Sequence, residues 1–301
     1  MIAVLGAGGV GGLVAALLDR AGIAATVVAR EETAALITRD GLTINSVRFG
    51  EFTARPRVVT RLTADHEALI VATKASGLAP ALERIVGAPA LVVPLLNGLD
   101  HLTLLRERFG SRAVAATIRV ESDRPEPGVI VHTSSFLRIE MASHDRRRRP
   151  ALEALAARLT AAGIDVGIEE SEAQVLWSKL VRLNALSAAT SASGLPLGQI
   201  LADPTWRRRL EAVVAEGAVA AAAEGATINP ARVMAQFSED HPTLGSSMAR
   251  DIAAGREPEL DAIAGAVLRA ADRQDLAAPA TQGLVEEIVR RAGVAAPRRL
   301  P

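Results

Sequence analysis

The chain has 301 residues, with 34 Lys plus Arg against 34 Asp plus Glu, so nothing in its net charge of +0 draws it to nucleic acid or to an anionic membrane. Hydrophobic residues at 49% and charged residues at 23% describe a globular protein long enough for two domains. The absence of cysteine and tyrosine excludes disulfides, thiolate metal sites, iron–sulfur clusters, a thiol nucleophile and a tyrosine acid.

Ile2-Ala3-Val4-Leu5 is a short apolar run that reads as a buried strand. No basic segment with an apolar stretch behind it precedes this strand, so the expected location is cytoplasmic. The strand runs directly into Gly6-Ala7-Gly8-Gly9-Val10-Gly11-Gly12. Leu13, Leu17 and Leu18 then mark a helix that stops near Gly22, and Ala25 to Ala29 mark a second strand. The glycines of this G-x-G-x-x-G pattern, Gly6, Gly8 and Gly11, therefore lie between strand and helix of a βαβ unit. One makes the tight turn, one lets the backbone approach a pyrophosphate, and one allows close helix–strand packing, while the helix N-terminus faces the phosphates. This predicts a dinucleotide site carried by Gly6, Ala7, Gly8, Gly9, Val10 and Gly11; a glycine-rich turn without a ligand is the plain alternative. Arg30 ends the second strand, where an arginine suits a 2′-phosphate and an NAD enzyme uses an acid, so NADP is the expected cofactor. Glu31 and Glu32 follow at once and pull the other way.

Further strands are expected at Ala68 to Thr73, Leu91 to Leu95 and Val114 to Val120, ending in the polar groups Thr73-Lys74, Asn97-Gly98 and Thr117 to Arg119. The carboxyl ends of strands line the ligand crevice of a doubly wound sheet, which puts Lys74 and Asn97 beside cofactor or substrate. A solvated strand end explains Lys74 otherwise, and Asn-Gly turn chemistry explains Asn97. Gly128 to Thr133 and Phe136 to Met141 look like an antiparallel hairpin, and Arg146 to Arg149 like a solvated loop. A helix over 152–162 and a strand over 164–168 close a first domain of residues 1–168.

From Ser171 onward the strand pattern disappears. Ser171 and Gln174 fit a capping box at the start of a helix over 171–193. That helix carries Lys179 on one stripe with Val175, Leu183, Leu186 and Thr190. Lys74 and Lys179 are the only lysines of the chain; arginine supplies the positive charge elsewhere. Two retained lysines indicate sites that need a compact, titratable amine, although Lys179 could also snorkel to solvent. Helices over 204–225, 229–238, 244–254, 258–273 and 279–292 follow, with Pro204, Pro230, Pro258 and Pro279 as starts and Gly225, Gly255 and Gly293 as C-caps. The alanine-rich run from Ala212 to Ala223 is broken by Glu216 and Gly217, so it is no membrane span. Ser246 and Ser247 open one helix as capping hydroxyls, and Glu259 falls in a first turn, so local structure accounts for them as well as function does. The tail from Ala296 to Pro301 reads as disordered. The predicted fold is an α/β Rossmann-type doubly wound domain followed by an all-α domain, residues 169–301.

Taken together, Gly6-Ala7-Gly8-Gly9-Val10-Gly11, Val28-Ala29-Arg30, Thr73-Lys74, Asn97-Gly98, Trp177-Ser178-Lys179-Leu180, Ser246-Ser247-Met248 with Asp251, and Glu259-Leu260-Asp261 resemble the ketopantoate reductase (2-dehydropantoate 2-reductase) family over essentially the whole chain. The resemblance implies a catalytic Lys179, with Glu259 beside the cofactor and the reacting oxygen. It implies that Lys74 and Asn97 orient cofactor and substrate, that Ser247 holds the substrate carboxylate, and that residues near Val120 touch the nicotinamide end. The family usually has asparagine four and eight residues beyond this lysine and often one further along; here those positions are Leu183, Ser187 and Leu197. Asn184 lies about a hundred degrees round the helix from the first of them. Asn184 and Ser187 are thus the polar candidates left on this helix for the substrate, in a more apolar pocket that should alter substrate preference.

The expected reaction is hydride transfer from NADPH to the carbonyl of a small 2-oxo acid, 2-dehydropantoate first, as in pantothenate biosynthesis. Lys179 would stabilise the developing oxyanion and donate the proton. A reductase for another branched or aromatic 2-oxo acid, giving a D-2-hydroxy acid, is the related alternative; a non-catalytic NADP-binding sensor is the distant one. No metal site, nucleic-acid partner or membrane partner is expected, and a homodimer is left open.

Overall fold

β1 (Ile2–Leu5) is apolar at every position because it is the middle strand of a parallel sheet covered on both faces, and its four residues are at most 1% exposed. The strands that follow are β2 (Ala25–Val28), β3 (Leu42–Ser46), β4 (Gly50–Ala54), β5 (Arg57–Val59), β6 (Ala68–Val71) and β7 (Val92–Pro94). Then come β8 (Ala115–Arg119), β9 (Ser122–Glu126), β10 (Val129–His132), β11 (Arg138–Ala142) and β12 (Asp165–Ile168). The helices are α1 (Gly9–Arg20), α2 (Glu31–Asp40), α3 (Leu78–Leu82), α4 (His101–Phe109), α5 (Arg149–Ala161) and α6 (Glu172–Ser193). They continue with α7 (Leu197–Ala202), α8 (Pro204–Ala223), α9 (Pro230–Glu239), α10 (Ser247–Ala253), α11 (Ala266–Arg273) and α12 (Pro279–Ala292). The computed structural model describes residues 1–298 and divides the chain into one unit of Met1–Leu96 and His101–Val175 and another of Asn97–Asp100 with the chain from Leu176 onward.

The first unit is Rossmann-type. Its main sheet has the order β5-β2-β1-β6-β7 with every pair parallel, so the chain reverses its direction of winding at β1. α1 buries Leu13, Val14, Leu17 and Leu18 in the same core as Val4, Val27 and Ile70. β8 follows β7 through a bridge at Val92 and Ala113 and carries a smaller sheet, β12-β11-β8. A third sheet has the order β4-β3-β10-β9. The expected hairpin of 128–141 does not form. β10 pairs with β3 in parallel and with β9 antiparallel, whereas β11 pairs with β8 and β12. Two adjacent apolar runs cannot reveal that each has a partner far away in sequence. β3, β4, β5 and β9 are absent from the prediction: β4 and β9 are mostly exposed and polar, β5 is only three residues long, and β3 carries just two buried apolar residues in alternation, Leu42 and Ile44.

Among the described residues of the second unit the regular elements are all helices. Pro204, Pro230 and Pro279 stand in the first turns of α8, α9 and α12, while Gly225, Gly255 and Gly293 take positive φ after α8, α10 and α12. Pro258 is not a helix start: a π-helical turn at Asp261–Gly265 leads into α11. π turns are uncommon and concentrate where side chains must be re-aimed. α7 is an additional short helix that the sequence reading passes over. The tail is ordered further than expected. Arg298 N and its guanidinium donate to Asp261, so Ala296–Arg298 is fixed to the π turn, and only 299–301 lie outside the described residues. No helix among the described residues is long and apolar enough to cross a membrane.

Candidate active site

In the α/β unit the glycine loop fits a pyrophosphate. Gly6 takes φ +102°, and a Cβ there would lie 2.8 Å from Ala72 O. A Cβ on Gly11 would lie 2.0 Å from Gly6 O, so this glycine sets the packing of α1 against the loop. Above Gly8 there is nothing within 4 Å, which is the open approach a phosphate needs over the N-terminus of α1. Gly9 is pressed from the other side: its Cβ would meet Ser122 O at 2.6 Å, and Ser122 Oγ donates to Gly9 O at 2.8 Å. Nothing local marks Ser122 in the sequence, because β9 is short, polar and mostly exposed.

Arg30 is the exposed residue between β2 and α2, with α2 starting on the two glutamates. The carboxylate of Glu31 is turned to Arg84, which donates to Oε1 at 3.0 Å and to Oε2 at 3.2 Å. That hydrogen bond also pulls the Glu31 carboxyl below its ordinary range. Lys74 is exposed just before the 3-10 turn Ala75–Gly77, and Val120 is partly buried at the end of β8.

In the helical unit three side chains form a hydrogen-bonded chain. Lys179 Nζ donates to Asn97 Oδ1 at 2.8 Å, and Asn97 Nδ2 donates to Glu259 Oε2 at 2.9 Å. The order requires an amide. Its oxygen must face an ammonium and its nitrogen a carboxylate; aspartate would set an acceptor against Glu259, and leucine would serve neither side. Each element delivers its residue for a local reason. Ser171 Oγ caps α6 by accepting from Gln174 N at 3.1 Å, which fixes where the turn bearing Lys179 begins. Gly98 takes φ +86°, and a Cβ on it would lie 1.9 Å from Ala262 O, so only glycine lets the Asn97 turn lie against the π turn after Glu259.

The remaining candidates are spread around α6 and α10. Ser247, the first residue of α10, is exposed; Ser246 is the N-cap, accepting from Ala249 N at 3.0 Å and hydrogen-bonding Thr190 Oγ1 at 2.8 Å. Asn184 and Ser187 are both 0% exposed, and Asn184 Oδ1 and Nδ2 and Ser187 Oγ have no hydrogen-bond partner. They lie about 140° and 80° round α6 from Lys179. Leu183, one turn beyond Lys179, is partly buried, and Leu197 is 1% exposed. Asp100, at the end of the Asn97 turn, and Arg269, which pairs with it, are not among the residues the sequence singles out, and Asp261 enters there only as part of the Glu259-Leu260-Asp261 motif. Arg269 had left a signal: it is the only polar residue in the run Ala262 to Ala271, which marks a buried and paired guanidinium. Among the described residues no group of His, Asp and Glu is placed to hold a metal ion.

The profile described as "Ketopantoate reductase PanE/ApbA" matches residues 2–146, and that described as "Ketopantoate reductase PanE/ApbA C terminal" matches residues 173–291. A 2-dehydropantoate 2-reductase of Halobacterium salinarum is 28% identical over 297 residues, covering 95% of this chain and 96% of that protein. The crystal structure of a 2-dehydropantoate 2-reductase from Geobacter metallireducens GS-15 is 25% identical with a TM-score of 0.87, covering 96% of this chain and 99% of the other. A D-mandelate dehydrogenase solved with NADH and anilino(oxo)acetate shares the fold at 20% identity, with a TM-score of 0.88 and coverage of 97% and 98%. The glycine loop, the lysine on α6 and the glutamate ahead of the π turn thus occur in a chain matched along almost its whole length, and this oxidoreductase belongs to the ketopantoate reductase family.

Proposed function

We propose that this protein reduces a small 2-oxo acid to the 2-hydroxy acid with NADPH, and that 2-dehydropantoate is the substrate. The observation that carries the reading is the Lys179–Asn97–Glu259 chain, an ammonium held in place by an amide that is itself held by a carboxylate. A nicotinamide cofactor supplies hydride to the carbonyl carbon. As that bond forms, the carbonyl π electrons move to oxygen, and Lys179 stabilises the new charge and delivers the proton that completes the alcohol. Asn97 keeps one ammonium hydrogen occupied and so fixes the direction of the others. Glu259 fixes the Asn97 amide against rotation by accepting from its Nδ2. Gly6, Gly8, Gly9 and Gly11 take the pyrophosphate, with Ala7 and Val10 completing the loop. Arg30 takes the 2′-phosphate, with Glu31 withdrawn to Arg84. Lys74 and Val120 assist on the cofactor side, and the Ser247 hydroxyl donates to the substrate carboxylate.

The test follows oxidation of NADPH and NADH with a panel of 2-oxo acids. Lys179→Ala should cost on the order of a hundredfold or more, and a variant within about tenfold of the parent sinks the assignment of the acid. Arg30→Ala should weaken NADPH by about tenfold and leave NADH unchanged; an equal loss for both cofactors removes Arg30 from the 2′-phosphate. A second reading is favoured by Leu183 and Leu197, which stand where the family places amides and which would accept a larger apolar or aromatic 2-oxo acid. Preference for such an acid over 2-dehydropantoate would decide for it.

A further inference from the structure

The Asn97 amide can bridge Lys179 and Glu259 only if two segments far apart in sequence, the Asn97–Asp100 turn and the π turn of Asp261–Gly265, are held in register. One side chain ties both. Arg269, 8% exposed, donates through Nη2 to Asp100 Oδ2 at 2.7 Å and to Asp261 O at 2.8 Å, and through Nη1 to Asp261 Oδ1 at 2.8 Å. A third segment joins them: Arg269 Nη1 also donates to Arg298 O at 2.7 Å, and Arg298 N returns a bond to Asp261 Oδ1 at 2.9 Å. A guanidinium suits this post because its planar fork serves several acceptors at fixed angles, which an ammonium cannot do.

The geometry points to Arg269 as a positioning residue of the reaction, a clamp that joins the Asn97 turn, the segment behind Glu259 and the C-terminal tail, and thereby sets the Lys179–Asn97–Glu259 spacing. Arg269 touches none of the three reacting groups and acts only through the backbone segments that carry Asn97 and Glu259. Displacing a catalytic group by about 1 Å costs on the order of a hundredfold in rate, and such a displacement is what the clamp prevents. The inference rests on the reading that Lys179 is the proton donor, and its test separates the two.

Kinetics with NADPH and 2-dehydropantoate are compared for the parent, Arg269→Met, Arg269→Lys, Asp100→Ala and Lys179→Ala, with NADPH affinity followed by fluorescence. A clamp predicts that Arg269→Met lowers kcat by roughly a hundredfold with NADPH affinity unchanged, that Arg269→Lys recovers part of it, and that Asp100→Ala lowers kcat by roughly tenfold. Asp100 is 45% exposed in its side chain, so that variant folds even where Arg269→Met does not. A crystal structure of Asp100→Ala supplies a readout that needs no substrate: the Asn97 side chain should leave Lys179 and Glu259. Retention of both contacts, or parental kcat in Arg269→Lys and Asp100→Ala beside an inactive Lys179→Ala, overturns the clamp and leaves the donor standing. An active Lys179→Ala overturns the donor instead.

Discussion

Asn97→Ala is the sharpest perturbation of the proposed site, because one side chain serves both charged groups. The substitution removes the 2.8 Å bond from the Lys179 ammonium and the 2.9 Å bond to the Glu259 carboxylate. A hydrogen bond to a charged group contributes about 1.5–3 kcal/mol, and water entering the gap restores part of both. A net loss of about 2–4 kcal/mol of transition-state stabilisation corresponds to a fall in kcat/KM of roughly 30- to 1,000-fold. The loss should fall on kcat, since the amide orients the proton donor. NADPH affinity should hold, since the glycine loop belongs to the other unit. Steady-state NADPH oxidation with a cofactor fluorescence titration reads both quantities. Combining Asn97→Ala with Glu259→Gln gives a further check: if the carboxylate works through the amide, the double variant loses far less than the product of the single losses. A kcat within about fivefold of the parent, or losses that simply multiply, would refute the chain of Lys179, Asn97 and Glu259.

The glycine loop predicts a split between fold and ligand. Gly8→Ala, which meets no protein atom within 4 Å, should keep the thermal midpoint of the ligand-free protein and lose cofactor affinity, whereas Gly11→Ala should lower the midpoint as well. Asn184→Leu keeps the side-chain shape and removes two unpartnered buried groups; it should stabilise the protein by about 1–3 kcal/mol and leave KM for the 2-oxo acid unchanged, and a raised KM would bring Asn184 into the substrate site. Glu172 has a carboxyl that burial pushes up from its ordinary 4.5 but that Arg106 and the His144 amide pull below it on balance. Its stabilising contribution is therefore complete above about pH 4.5 and lost as pH falls through the lower folded value. Thermal midpoints between pH 7 and pH 3 should fall less steeply in Glu172→Gln than in the parent, and parallel curves would remove Glu172 from the acid response.

The legible part of the molecule was the part whose causes are local. The strand, glycine loop and helix of residues 2–20 announced themselves by spacing, and the helical half was punctuated by proline and glycine. Lys179 stood out through the scarcity of lysine, and Asn97 through its place after a buried strand. What stayed hidden depends on partners distant in the chain. β10 finds β3 some 86 residues away, a distance spanned also by the Ser46–His132 hydrogen bond, and no local pattern encodes that choice. Pro258 suggested a regular helix start, yet the chain makes a π turn three residues later, which the Gly98 contact with Ala262 and the Asp261 ion pairs accompany. The tail looked disordered because it is short and arginine-rich; its anchor, Asp261, lies 37 residues upstream.

The turn of Asn97–Asp100 has a consequence for how this protein can be taken apart. Four residues embedded in the α/β stretch of the chain belong physically to the helical unit. A polypeptide beginning at Leu176 would keep Lys179 and Glu259 and lack the amide between them, so recombining halves from two relatives at the apparent boundary would join Lys179 of one parent to Asn97 of the other. The contacts close loops of 82 and 162 residues, so the Lys179–Asn97–Glu259 hydrogen bonds cannot form in a nascent chain until Glu259 has left the ribosome. Under the proposed mechanism, catalytic competence is thus among the last properties the folding chain acquires.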